Sequence, residues 1–105
     1  MLNEKTIASS FSALSHPLRV RIFGYLLTCQ PRPVAFGVLS RELGIPASTL
    51  AHHLREMEAG RVVTRRAAGR RTLFAPDLAH LQRVLSDFLE TCCAGDVKPS
   101  ERKSP

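Results

Sequence analysis

The chain has 105 residues, 44% hydrophobic and 23% charged, which suits one domain with a modest core and leaves no room for a second. Fifteen Lys and Arg against nine Asp and Glu give a formal charge of +6, which points to a polyanionic partner, nucleic acid first. No apolar run is long enough to span a membrane, residues 1–10 contain no apolar signal segment, and three cysteines are too few for a disulfide framework. The expectation is a cytoplasmic protein with reduced thiols, with a domain over residues 1–95 and a polar, disordered tail over 96–105.

The first predicted helix runs over residues 3–14. Asn3 is its N-cap, and Ile7, Phe11 and Leu14 fall on one face at spacings of four and three. A second helix opens at Pro17, where a missing N–H costs nothing, with His16 as the capping residue. Leu18, Ile22, Tyr25 and Leu26 form its stripe, and Pro31 and Pro33 stop it. A short third helix spans 36–43 and ends on Gly44 in a left-handed conformation. Ile45 and Pro46 turn the chain into a fourth helix with Leu50, Leu54 and Met57 on its buried face, ending near Gly60. Two short helices joined by a tight turn make a helix-turn-helix.

The period then changes. Residues 61–66 and 72–75 are rich in β-branched and aromatic side chains around a loop, 67–71, centred on Gly69, and this pattern predicts a hairpin. Asp77 caps the last helix, from Leu78 to about Cys93, in which Leu78, Leu81, Leu85, Phe88 and Cys92 alternate at three and four. So narrow a seam suits pairing with a partner helix. The expected fold is mainly α with a small β-hairpin, a winged helix-turn-helix, in the order four helices, two strands, one helix.

This layout predicts DNA binding. Ser48, Thr49, His52 and Arg55 share the face of the fourth helix opposite its apolar residues. Short polar side chains so placed reach base edges when the helix enters a major groove. Arg41 on the third helix, with Arg65, Arg66, Arg70 and Arg71 in the hairpin, would hold phosphates of double-stranded operator DNA. No Ser-His-Asp set, phosphate-binding glycine loop or carboxylate pair occurs, so no enzyme is predicted.

Leu14-Ser15-His16-Pro17-Leu18-Arg19 with Ile22, the stretch Leu39-Ser40-Arg41-Glu42-Leu43-Gly44-Ile45, and Ser48-Thr49-Leu50-Ala51-His52-His53-Leu54 resemble the signature segments of the ArsR/SmtB metal-sensing repressors. The resemblance covers nearly all of residues 2–93. It implies a homodimer formed by the first and last helices, with Ile7, Phe11, Leu78, Leu81, Leu85 and Phe88 at the interface, and a repressor that leaves its operator when a metal or metalloid binds. At the entry to the wing, where the family usually has Ala-Gly-Leu-Val, this chain has Ala59-Gly60-Arg61-Val62-Val63: either a residue is missing or Arg61 replaces the glycine.

The family's inducer sites differ in location. The cysteine motif of the third helix is absent here, where Phe36-Gly37-Val38-Leu39 stands. The zinc pattern of the last helix is absent too, because Asp77 and His80 are one residue too far apart and Thr91 replaces a histidine. There remain Cys92 and Cys93, an adjacent pair like that of the arsenic-responsive subset, without the subset's third cysteine downstream. Soft thiolates favour trivalent arsenic. The expected inducer is arsenite, with Cys29 as a third ligand, or methylarsenite, for which two thiols suffice; no cofactor is obligatory. His53 is read as structural and His80 as a solvated helix residue. Other readings stay open: a thiol redox or persulfide sensor, a ligand-independent architectural DNA binder, and a protein-interaction module whose seam binds a foreign helix. Packing alone would also explain the cysteine pair.

Overall fold

The computed structural model describes residues 1–93. The Cys93 side chain, residues 94–105 and the tail expected over 96–105 lie outside the described residues. In chain order the elements are α1 (Glu4–Ser12), α2 (Pro17–Cys29), β1 (Val34–Ala35), α3 (Phe36–Leu43), α4 (Ala47–Ala59), β2 (Val63–Ala68), β3 (Arg71–Pro76) and α5 (Leu78–Cys93). The chain is a winged helix-turn-helix, mainly α, with its helices and hairpin in the expected order.

Local chemistry sets the helix ends. The Asn3 side chain accepts from the Thr6 N–H at 2.8 Å, and His16 Nδ1 accepts from the Leu18 N–H at 3.1 Å just ahead of Pro17. Gly44 ends α3 at φ 64°, as expected, and Arg21 donates to the Leu43 carbonyl at that end. Asp77 accepts from the His80 N–H at 3.0 Å and caps α5. The first helix stops at Ser12, two residues short of its expected end.

Three features of the sheet depart from expectation. Val34 and Ala35 add a third strand, giving the order β1-β3-β2. This pair of residues pairs with Phe74 and Leu73, and two residues carry no readable period. Ala67, Ala68 and Arg71, expected in a five-residue loop, instead pair within the ladder. The turn shrinks to Gly69 and Arg70, with Gly69 at φ 64°, the positive φ that a two-residue hairpin turn demands. Arg61 and Val62, expected in the first strand, instead form the turn that follows α4: the Arg61 and Val62 N–H groups donate to the Glu58 and Met57 carbonyls, a pattern that satisfies the last carbonyls of a helix.

The core joins Ile22 and Leu26 of α2, Leu39 of α3, Leu50, Leu54 and Met57 of α4, Val62, and Val63 and Phe74 of the wing. Burying such side chains, each contributing about 1.5–3 kcal/mol, fixes α4 and the wing relative to one another. On α5 the buried positions are His80 and Val84, with Leu81 packed on the core. This face is offset from the expected seam, so Leu85 and Phe88 stay 45% and 37% exposed in the single chain, as does Leu89 beside them.

Candidate nucleic-acid interface

Helix α4 separates its two faces cleanly. Leu50, His53, Leu54 and Met57 are buried, and Ser48, Thr49, His52 and Arg55 are exposed on the opposite stripe. The buried ring of His53 is held in place: its Nδ1 accepts from Arg19 Nε at 3.0 Å, and the His16 ring lies 4.6 Å away between centroids. Burial first, and then unfavourable electrostatics from His16, Arg19 and His52, push His53 below its ordinary pKa, so the ring is neutral at neutral pH. The Arg19 bond fixes its proton on Nε2. The structural reading of His53 fits this geometry.

The wing's arginines divide between its two faces. Directly paired residues share a face, and Arg65 pairs with Phe74 whereas Arg66 pairs with Leu73. Arg65 therefore faces α4, where its Nε meets Glu58 Oε2 at 3.2 Å, and it borders a cleft with Arg55 and Thr72. Arg66 borders the other face, beside Pro31, Pro33 and Thr64. Arg70 and Arg71 lie near the hairpin tip and share a cleft of about 430 Å³ with Arg41 of α3. Arg41, Arg66, Arg70 and Arg71 are exposed and have no carboxylate partner among the described residues. The two helices and the hairpin thus gather Arg41, Arg55, Arg65, Arg70 and Arg71 around two clefts between helices and wing. Such an arrangement can hold phosphates on either side of a helix lying in a groove.

The residues expected at a dimer interface fall into two groups. Ile7 is buried within the chain, and Leu78 and Leu81 are half-buried. Leu85 and Phe88 are open, and the Phe88 ring stands edge-on to Phe11 at 5.0 Å.

Cys29 and Cys92 belong to different helices, α2 and α5. Cys92 is exposed near the end of α5 and borders an apolar cleft of about 290 Å³ with Ile7, Ala8, Phe11 and Phe88. Cys29 ends α2, half-buried against the core, and neighbours Tyr25, whose phenol is raised by burial and then by a hydrogen bond to the Cys29 side chain. Among the described residues no three His, Cys, Asp or Glu side chains gather into a metal site.

His80 is a correction. It is 7% exposed, not solvated. Its Nε2 lies 2.9 Å from Ser10 Oγ, and that hydroxyl donates to the Gly60 carbonyl at 2.8 Å. The single Ser10 proton being used there, Ser10 accepts from His80 Nε2–H. Burial first, then Arg61 and Arg83, lower its pKa against the opposing pull of Asp77. Nothing local in the sequence signals this linkage, because Ser10 and His80 are 70 residues apart.

No helix among the described residues is long and apolar enough to cross a membrane. No curated protein matches the chain. Among solved structures, an ArsR-like transcriptional regulator from Rhodococcus sp. RHA1 is similar, with 23% identity and a TM-score of 0.76 over 88% of this chain and 84% of that one. The homodimeric winged helix-turn-helix DNA-binding domain Mb0332 of Mycobacterium bovis has 21% identity and a TM-score of 0.64 over 83% and 84%. The transcriptional repressor PagR of Bacillus anthracis has 23% identity and a TM-score of 0.62 over 70% and 80%. These are likenesses of fold, to regulators and not to enzymes. A family model described as a helix-turn-helix domain matches residues 14–66, half of the chain, and the chain belongs to that family.

Proposed function

We propose that the protein is a homodimeric, ArsR-type transcriptional repressor of the cytoplasm that binds operator DNA through α4 and the wing. The observation that carries this reading is the coincidence of exposed Ser48, Thr49, His52 and Arg55 on α4 with a basic wing at its side. The Rhodococcus, Mb0332 and PagR likenesses support the ArsR type, the dimer and the repression respectively. Its inducer is a thiophilic species, trivalent arsenic in inorganic or methylated form, bound by Cys92 and Cys93. Each thiol displaces one hydroxyl of the arsenical, forming an As–S bond and releasing one water. A methyl arsenical needs only two thiols, and its carbon would meet the apolar surface of Phe11 and Phe88 beside Cys92. Inorganic arsenite calls for a third thiol, which Cys29 of either protomer would supply. Release follows if the inducer prefers a dimer geometry in which the two α4 helices no longer fit successive grooves.

The test is operator release measured by fluorescence anisotropy with arsenite and with methylarsenite. Cys92→Ser and Cys93→Ser are expected to abolish the response to both. Cys29→Ser is expected to affect only the response to arsenite. Intact release in both pair variants overturns the inducer assignment, and wild type that fails to bind any DNA overturns the repressor.

A further inference from the structure

A cleft of about 260 Å³ opens where α1 meets the end of α4, bounded by Lys5, Thr6, Ser9 and Ser10 on one side and Gly60 and Arg61 on the other. Two cations and three hydroxyls line it, and no carboxylate does. The ion pair found among the described residues is that of Arg65 and Glu58, so among those residues neither Lys5 nor Arg61 meets a carboxylate.

Two further features show that the junction is specifically built. Gly60 must lack a side chain, because a Cβ there would overlap the Ala13 side chain and come within 2.8 Å of the Ser9 carbonyl. Its carbonyl is held by Ser10, which is held in turn by His80. Next to it, Arg61 sits at φ 64°, a left-handed conformation that strains an L side chain and that glycine would adopt freely. A strained residue kept where glycine would serve suggests that its side chain is needed, and this one places a guanidinium at the lip of the cleft.

We propose that this cleft is an oxyanion site, in which a phosphate- or sulfate-like group sits between Lys5 and Arg61 with the Thr6 and Ser9 hydroxyls as further donors. The Ser10 hydroxyl, already given to Gly60, forms the floor. Guanidinium and ammonium groups bind such anions through charge-assisted hydrogen bonds. The cleft is separate from the Cys92 cleft and from those facing the wing. Because α1 packs on α5 and Arg61 leads into the wing, an occupant would tie the two together. The group is either a free oxyanion or a backbone phosphate of bound DNA.

The experiment titrates inorganic phosphate and sulfate into the whole protein and follows amide and side-chain NMR shifts, with chloride at matched ionic strength as control. The expected result is saturable shifts at Ser9, Ser10, Gly60 and Arg61 that chloride does not produce. The His80 titration should move upward as the anion offsets Arg61. Arg61→Gly, which relieves strain and so keeps the fold, and Lys5→Gln should each weaken binding about tenfold or more. The salt dependence of DNA binding identifies the source. An unchanged slope in Arg61→Gly marks a free anion. A slope lower by about one marks a DNA phosphate. Shifts that chloride reproduces, or phosphate affinity unchanged in both variants together with an unchanged slope, would overturn the site.

Discussion

Arg19 donates its Nε–H to Nδ1 of His53 across 3.0 Å, and this bond fastens the first turn of α2 to the buried side of α4. His16 caps the same turn of α2 through its own Nδ1 and lays its ring near that of His53. The three residues come from two separate sequence segments, yet they form one clamp on α4, the helix proposed to read DNA. Protonating His53 would put an N–H opposite the Arg19 donor and so break the clamp.

Stability should therefore fall in mild acid. The folded pKa values of His53 and His80 are both lowered, mainly by burial, whereas in the unfolded chain they return to about 6.5. Below that value the unfolded state binds protons that the folded state refuses, so the stability gained from neutral rings is full at higher pH and is lost as pH falls through about 6.5, levelling off below the folded values. Urea midpoints measured from about pH 8 to about pH 5.5 should decline. His53→Asn, which keeps an acceptor for Arg19, and His80→Gln, which keeps a donor for Ser10, should each flatten the decline. A wild-type midpoint that rises toward acid contradicts the account.

The face of α4 was legible in the sequence because a helix repeats its environment every three to four residues, and Leu50, Leu54 and Met57 alternate with Ser48, Thr49, His52 and Arg55. The C-terminal end of α3 was legible because Gly44 is the residue a left-handed cap selects. What escaped was decided across the fold. His80 is a polar residue whose burial depends on Ser10, far away in the chain. Phe23 and Val84 are buried off the stripes that periodicity marked. Ala67 and Ala68 have no β-branched character, yet the register carries the ladder through them to Gly69. At the wing entry the backbone gives the two neighbours different tasks: Gly60 is needed for close approach, and Arg61 takes the left-handed conformation.

That division of labour makes the two neighbours respond oppositely. Gly60→Ala forces a methyl group into Ala13 and the Ser9 carbonyl, an overpacking cost of about 1–3 kcal/mol. Arg61→Gly removes left-handed strain worth about 1–2 kcal/mol, less the entropy that glycine restores to the unfolded chain. Thermal or urea unfolding should show clear destabilisation in the first and no loss, or a gain, in the second. Equal destabilisation by both would mean that the turn between α4 and β2 is held by the Arg61 side chain rather than by its backbone.

Arginines on the wing and polar residues on α4 should separate into two kinds of DNA effect. Replacing Arg70 and Arg71 by Ala should weaken binding to every sequence and lower the salt slope by about one per lost phosphate contact. Replacing Thr49 or His52 should change which sequence is preferred, at about 1–3 kcal/mol per misread base pair. Glu58 adds a sharper test. It holds Arg65 at 3.2 Å, so Glu58→Gln should free a cation and tighten binding with a steeper salt slope. A full salt slope in the double arginine variant would remove the wing from the interface.

The apolar surface of α5 bears on assembly. Leu85, Phe88 and Leu89 are 45%, 37% and 58% exposed, on a helix whose other face already packs on α1 and the core. Phe88 also contacts Phe11 within the chain, so Phe88→Asp would disturb the α1–α5 pair itself. Leu85 has no place in the core, and Leu85→Asp isolates the effect on a partner. If two copies bury this face, an unpaired carboxylate there costs several kcal/mol, and the dimer should dissociate while the circular dichroism of the chain stays folded. Operator affinity should fall with it, because two half-sites are then no longer bound together. Sedimentation equilibrium checks the first point and anisotropy with a two-site operator the second. A wild-type chain that sediments as a monomer at concentrations where it fills the operator would rule out the α5 face as its dimer interface.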